Sequence, residues 1–262
     1  MLINTQSYDP TTFWNAQAKK NIKDMTKAVC YSNPLRNICI DAVQRVLIRG
    51  GMQTIQRRSS LYGKKVLDYG CGIGRWVEFF QRAGCIYSGL DIAKEMIKIA
   101  KKRYPKVDFQ TLDNDRIPYP SKSYDIVCSI AVIHHNHYPH QEEILDEIVR
   151  VLRPGGFLLL FEGIGPSDPS TTFMFVRTRN EWITLLTRRG LECLWTRGGR
   201  YFLVESIIET LIRKSRQNKT SNSVRIPRSI LKIDTVLSPF LGSFLPERYQ
   251  NRAAMVFKLP EV

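Results

Sequence analysis

Residues 66–75 read Val66-Leu67-Asp68-Tyr69-Gly70-Cys71-Gly72-Ile73-Gly74-Arg75: a short apolar run, three glycines at alternate positions, then an amphipathic segment. That order predicts a strand, a tight turn and a helix, with little side-chain bulk between the turn backbone and a ligand. The spacing Gly70-x-Gly72-x-Gly74 differs from the GxGxxG of dinucleotide-binding turns, which seats a pyrophosphate on a helix N-terminus. Asp68, two residues before the first glycine, would repel a pyrophosphate but tolerate a cationic amino group. Asp91 follows the apolar strand ending Gly89-Leu90, where a carboxylate can accept both hydroxyls of a ribose. Together these features favour a nucleoside joined to an amino acid without a diphosphate. Asp91 also reads as a helix N-cap and Asp68 as a turn-capping carboxylate, and capping and ligand contact are compatible.

Working outward, strands and helices alternate. Strands are expected at Lys65–Asp68, Ile86–Leu90, Val107–Thr111, Tyr124–Ser129 and Phe157–Phe161. Helices are expected at Arg75–Arg82, Ala93–Lys102 and Gln141–Leu152, the last closed by Pro154-Gly155-Gly156. This alternation predicts an α/β fold, a Rossmann-like, mostly parallel seven-stranded sheet with helices on both faces. Asn180–Arg189 reads as a further helix, and Leu191–Thr196 and Ala253–Leu259 as late strands. Upstream, Leu35–Ile48 has helical apolar spacing that Gly50-Gly51 is expected to stop. The expected organisation is an N-terminal helical lid over 1–60, a core over 61–199, a cap insertion over 200–250 and a returning strand over 251–262. Within the cap, Val204–Arg213 is amphipathic and Lys214–Arg228 reads as a polar, exposed connector.

The chain has 262 residues, 43% of them hydrophobic, enough for one sizeable core. No tract is long and apolar enough to span a bilayer, and Met1–Asp9 lacks the apolar centre of a signal peptide. Six scattered cysteines form no CxxC pair, as expected for reduced thiols. A cytoplasmic protein without integral membrane association, monomeric or homodimeric, is the expectation. Lys and Arg number 39 against 24 Asp and Glu, a net charge of +15. The basic residues are spread along the chain and no RNA-binding motif or zinc-finger spacing is present, which weighs against a nucleic-acid partner without excluding one.

The stretches VLDYGCGIGR (66–75), GLDIAKEMIKIAKK (89–102), LDNDRIPYPSKSYDIVCS (112–129), IHH (133–135) and VLRPGGFLLL (151–160) resemble, in this order, the class I S-adenosylmethionine-dependent methyltransferases, particularly the type 11 small-molecule group. The resemblance covers roughly residues 60–165. It implies S-adenosyl-L-methionine as cofactor and S-adenosyl-L-homocysteine as product. By this resemblance the backbone of Gly70, Cys71, Gly72, Gly74 and Arg75 passes the methionine portion, with Asp68 near its amino group. Asp91 holds the ribose, Asp113 and Asn114 flank the adenine, and Ile92 and Ile130 are apolar neighbours. Met96 is a further candidate, although a Met at helical spacing also serves simply as core. Cys71 reads as a small buried spacer rather than a nucleophile.

All four histidines fall in His134-His135-Asn136-His137-Tyr138-Pro139-His140. Adjacent histidines tend to point apart and no cysteine joins them, so no metal is expected. His134 and His135, nearest the carboxyl end of the strand at 124–129, are the catalytic candidates, as bases or orienting groups. Tyr8, Phe13, Trp14, Glu162, Arg200, Tyr201 and Phe202 are the candidates for holding the acceptor. Arg177, Arg179, Arg197 and Arg200 would suit an anionic one. The resulting expectation is methyl transfer by direct displacement to an oxygen or nitrogen of a small metabolite, a carboxylate or hydroxyl included. The alternatives are an RNA or protein/peptide methyltransferase, and a non-catalytic binding protein of the same fold.

Overall fold

The computed structural model of the chain describes residues 8–20, 34–113, 116–165, 173–204, 207 and 228–261. Two helices, α1 (Pro10–Lys20) and α2 (Pro34–Gln56), precede β1 (Lys65–Tyr69), α3 (Val77–Arg82), β2 (Ile86–Asp91), α4 (Lys94–Arg103) and β3 (Asp108–Thr111). They are followed by β4 (Tyr124–Ile130), α5 (Tyr138–Val151), β5 (Leu152–Gly163), α6 (Arg179–Arg188) and β6 (Glu192–Gly199). The helix α7 (Arg228–Leu241) and the strand β7 (Arg252–Lys258) complete the described elements.

The seven strands form one sheet in the order β3-β2-β1-β4-β5-β7-β6. Neighbours from β3 to β5 pair in parallel, whereas β7 runs antiparallel between β5 and β6. The chain winds outward through β1, β2 and β3 and then returns to place β4 on the other side of β1. That reversal between β1 and β4 opens a crevice outside the carboxyl ends of the strands, where open α/β sheets bind ligands.

The period-2 alternation of β5 divides the core into two layers. Phe157, Leu159 and Phe161 pack with Leu47, Ile48, Ile55, Val77 and Phe80 on one face. Leu158 and Leu160 pack with Ile144, Leu145, Ile148, Trp182 and Leu186 on the other. Each such side chain, removed from water, contributes about 1.5–3 kcal/mol.

The helix expected to stop at Gly50-Gly51 continues to Gln56. The glycines serve close packing instead. A Cβ on Gly51 would lie 2.5 Å from Leu159 Cδ1, and one on Gly50 3.1 Å from the Trp195 ring. Their absent side chains let α2 settle onto the sheet, an advantage that overrides the roughly 1 kcal/mol helix penalty of each glycine. Thus α2 is a core helix rather than part of a peripheral lid. The segment between β6 and β7 carries α7, which packs on α2. Residues 214–227 of the expected connector Lys214–Arg228, residues 205–206 and 208–213 of the amphipathic stretch, and Asn114 lie outside the described residues. Among the described residues no helix is long and apolar enough to cross a membrane.

Candidate functional site

Tyr69 and the glycine turn at the end of β1, Asp91 and Ile92 at the end of β2, Leu112 after β3 and Ile130–Val132 at the end of β4 line one cavity. Its empty space is about 1050 Å3 counted to the open mouth. The turn is pinned from below, because Gly70 and Cys71 both donate backbone N–H to Leu90 O, at 2.7 and 3.0 Å. Gly70 has φ +79°, and a Cβ there would fall within the Val132 side chain. Gly72 has φ +54° and its Cβ position meets nothing within 4 Å, so bare backbone faces open space. Gly74, at φ +74°, packs instead against Tyr104 and Phe109 and does not line the cavity.

Asp91 ties this turn to the second strand. Its Oδ2 accepts Gly72 N–H at 2.8 Å and its Oδ1 accepts Ala93 N–H at 2.8 Å. Burial raises its pKa, and the two backbone donors oppose that shift. A carboxylate has about four acceptor positions, so two remain for a diol. Cys71, Ile92, Met96 and Ile130 also line the cavity.

Asp68 does not line the cavity. It is 1% exposed beneath the turn, accepting Tyr87 Oη–H at 2.5 Å and Cys128 Sγ–H at 3.4 Å. Burial pushes its carboxyl up to about 6. Asp113 lies outside the cavity lining, exposed and 3.7 Å from Lys94 Nζ.

The two adjacent histidines do not point apart as expected, their ring centroids lying 4.3 Å from each other, but they differ in burial and partners. His134 is 2% exposed, with Nδ1 against Glu162 Oε2 and accepting Gly163 N–H at 3.2 Å. In the tautomer whose Nδ1 accepts Gly163 N–H, the proton shared with Glu162 lies on the carboxyl. Burial raises the Glu162 carboxyl to about 7 and drives the His134 imidazole well below its ordinary range. Glu162 also accepts the N–H groups of Ile133 at 3.1 Å and His134 at 3.2 Å. Fully buried, it clamps the turn after β4 rather than facing an acceptor. His134 is therefore misplaced as a base, and Glu162 as an acceptor contact.

His135 does line the cavity. Its Nδ1 donates to Phe173 O at 2.8 Å, which leaves Nε2 with the lone pair. Burial, chiefly, lowers its pKa to about 3, so the ring is neutral at physiological pH. Trp14 of α1 packs edge-on against it at 5.3 Å and, with Pro10, walls the cavity. α1 is held there by Asn15 Oδ1 accepting Glu95 N–H at 3.0 Å and by Ala18 packing with Ile73, Ala93 and Met96. Phe13 and Tyr8 extend the aromatic cluster behind Trp14 and do not line the cavity.

The other acceptor candidates lie elsewhere. Arg200 donates to Tyr249 O at 2.6 Å, Phe202 lies under Arg36, and Tyr201 is 5% exposed against Phe161. Tyr201 Oη reaches the cavity only indirectly, by accepting from Gln44 Nε2 at 2.8 Å. Arg177, Arg179, Arg197 and Arg200 are likewise absent from its lining; the arginine there is Arg75. It bonds Asp41 at 2.7 Å and Gln44 Oε1, and stacks on Trp76.

Gln44, Trp76, Ala131 and Asn136 line the cavity without having been read from the sequence. Gln44 carried a signal, a polar residue four positions after Ile40 on the apolar face of its helix. Ala131 carried none: its φ of +61° arises where β4 breaks into the turn.

Bare backbone at Gly72, the doubly anchored Asp91 and apolar walls from Ile92, Met96, Leu112 and Ile130 fit an adenosine bearing an amino-acid tail. A family model described as "Methyltransferase domain" matches residues 67–160. Over 112 residues the chain is 38% identical to the phthiotriol/phenolphthiotriol dimycocerosates methyltransferase 1 of Mycobacterium ulcerans, covering 41% of this chain and 40% of that protein. It is 33% identical over 106 residues to the fatty-acid O-methyltransferase of Mycolicibacterium smegmatis, covering 39% and 38%. These matches thus span about two fifths of the relatives' length.

Among solved structures, a putative sarcosine dimethylglycine methyltransferase from Galdieria sulphuraria aligns over 96% of this chain and 98% of its own, with TM-score 0.58 and 18% identity. The [4+2]-cyclase SpnF aligns over 82% and 81%, with TM-score 0.56 and 19% identity. These two likenesses concern the fold alone, and the second shows that the fold also carries other chemistry. The motif order, the matched model and the cavity thus agree on one reading: residues 67–160 form a methyltransferase domain similar to those of the class I S-adenosylmethionine-dependent enzymes.

Proposed function

We propose that this protein transfers a methyl group from S-adenosylmethionine to a hydroxyl oxygen of a small, largely apolar acceptor. The observation that carries this reading is His135, a neutral imidazole at the cavity wall with Nδ1–H committed to Phe173 O. When bound, the cofactor supplies a methyl group on a cationic sulfur, whose positive charge is lost with the methyl. Asp91 would hold its ribose, and the backbone at Gly70–Gly72 would pass its amino-acid portion. Ile92, Met96, Leu112 and Ile130 exclude water from around it, and the protein's main task is alignment.

His135 Nε2 takes the proton that the acceptor hydroxyl loses. Burial makes a free imidazolium costly there, but proton transfer coincides with the loss of the sulfonium charge. The cavity therefore carries one positive charge before and after the step, and His135 need not be basic in the empty site. Trp14 and Pro10 from α1 wall the acceptor side with apolar surface. The names of the relatives support an oxygen acceptor more broadly, since one is a fatty-acid O-methyltransferase, whose acceptor is a carboxylate, and another a phthiotriol/phenolphthiotriol dimycocerosates methyltransferase.

The test is a mass-spectrometric product assay offering long-chain alcohols, phenols, fatty acids, amines and RNA. Methyl ethers are expected, with His135→Ala lowering their rate about 10²- to 10⁴-fold. A carboxylate acceptor needs no base, so methyl-ester formation insensitive to His135→Ala would move the acceptor to a fatty acid. Faster methylation of amines or RNA would overturn the oxygen reading altogether.

A further inference from the structure

Helix α7 is inverted. Its inner face buries Leu231 together with the polar Asp234 and Ser238, at 3%, 0% and 1% exposure. Asp234 Oδ1 accepts Val204 N–H at 2.7 Å and Ser238 Oγ–H at 2.6 Å, while Ser238 Oγ accepts Leu203 N–H at 2.9 Å. The outer face carries Ile233, Val236, Leu237, Phe240 and Leu241, and the following turn adds Phe244. These recur at intervals of three and four residues, which aligns them along one side of the helix. Val236 and Phe240 are each 60% exposed and Phe244 78%. A continuous apolar stripe of this kind is uncommon on a protein surface that contacts only water.

The charge of the preceding sequence and of the described residues beside the stripe selects what covers it. Between Glu209 and Asp234 the sequence holds seven Lys or Arg and no Asp or Glu. Lys232 and Arg248 are exposed at the two ends of the stripe, and the Arg197 guanidinium lies 5.9 Å from the centre of the Phe244 ring. Glu247, in the same turn as Arg248, faces Arg179 at 3.5 Å. The whole chain is at +15. A second copy of this surface would bring two basic rims together, which like-charge repulsion disfavours. An apolar stripe flanked by cations is what an interfacial helix presents to acidic lipid, with apolar side chains entering the acyl boundary and Lys and Arg pairing with headgroups.

We propose that the outer face of α7, from Lys232 to Arg248, docks the protein peripherally on an anionic lipid surface. The helix lies in the plane of the interface, with Val236, Phe240 and Phe244 inserted. Because α7 packs on α2, whose Asp41 and Gln44 hold Arg75 at the cavity, docking would fix the orientation of the cavity relative to the lipid.

Flotation of the full chain with phosphatidylcholine vesicles, with and without phosphatidylglycerol, tests this directly. Binding is expected with phosphatidylglycerol and should weaken as salt is added. Phe240→Ser with Phe244→Ser should lower the partition constant about tenfold or more. Lys232→Glu with Arg248→Glu should lower it about fivefold or more per charge. S-adenosylhomocysteine affinity should be unchanged in both double variants, which also reports that they are folded. Failure of the folded protein to float at low salt would overturn the proposal, as would binding indifferent to the two Phe substitutions. A dimer in sedimentation equilibrium that those substitutions dissociate would overturn it too, by assigning the face to a second copy.

Discussion

Asp91 Oδ2 accepts the backbone N–H of Gly72 at 2.8 Å, joining the carboxyl end of β2 to the one residue of the glycine turn with open space at its Cβ position. The same carboxylate that is suited to a ribose therefore also builds the turn that receives the rest of the ligand. Asp91→Ala leaves the Gly72 and Ala93 donors without this acceptor. It should destabilise the folded protein by about 2–4 kcal/mol, measured as a fall in urea midpoint at unchanged slope. An effect below about 0.5 kcal/mol would mean that solvent replaces the carboxylate at little cost.

The glycines divide by what a side chain would meet. Gly70→Ala combines a positive φ with a collision against Val132 and should cost about 2–4 kcal/mol of stability. Gly72→Ala has positive φ alone and should cost about 1–2 kcal/mol, yet its methyl group would enter the cavity. Thermal unfolding should rank Gly70→Ala as the less stable, whereas cofactor titration should show a loss for Gly72→Ala out of proportion to its stability. Parallel losses of stability and binding in Gly72→Ala would contradict a close backbone approach to the ligand.

His134 and His135 should separate cleanly. His135→Gln should reduce turnover about 10²-fold or more on a hydroxyl acceptor while leaving stability and cofactor affinity nearly unchanged. His134→Ala removes a buried ring and the partner of Glu162, so its main effect should be on unfolding, about 2–4 kcal/mol. Equal kinetic defects in two equally stable variants would contradict this division.

Stability should depend on pH through two opposed sets of groups. Glu162 is raised from 4.5 to about 7 and Asp68 from 3.8 to about 6. The folded state holds both protons more tightly than the unfolded chain does. Their contribution is therefore complete below the unfolded values and is lost as pH rises, through about 6 for Asp68 and about 7 for Glu162. His135 is lowered from 6.5 to about 3, so its contribution is present above 6.5 and is lost as pH falls toward 3. Each group adds a slope of at most about 1.4 kcal/mol per pH unit. Between pH 6 and 7 the descending limb belongs mainly to Glu162. Glu162→Gln, whose amide can donate to His134 Nδ1 as the protonated acid does, should flatten it. An unchanged slope there would mean that Glu162 is ionised in the folded protein.

The parts of this molecule that were legible in the sequence are those whose signals are local. Apolar runs bounded by turns gave the strands, and the alternation of strand and helix gave their parallel order. Asp91 and the turn from Gly70 to Gly72 fall together because each ends a strand beside the crevice. Parts that depend on register were not legible. Glu162 stands one residue before the end of β5, where it could as well have faced the cavity. Only the pairing of β4 with β5 directs it under the turn at Val132–His134. Gly50 and Gly51 read as a stop because nothing local announces Trp195 and Leu159, more than a hundred residues later, as their neighbours. The contact of Gln44 with Arg75 and Tyr201 joins three distant segments in the same way.

The central claim is that the cavity above β1, β2 and β4 binds S-adenosylmethionine through Asp91 and the glycine turn. Isothermal titration of the full chain with S-adenosylhomocysteine, beside Asp91→Asn, tests it most directly. Asp91→Asn keeps an oxygen for Gly72 N–H but loses the charge and one acceptor for the diol. The account predicts saturable one-to-one binding that weakens about 10- to 100-fold in Asp91→Asn at near-native stability. Absence of measurable binding by folded protein, or binding of equal strength in the variant, would contradict it.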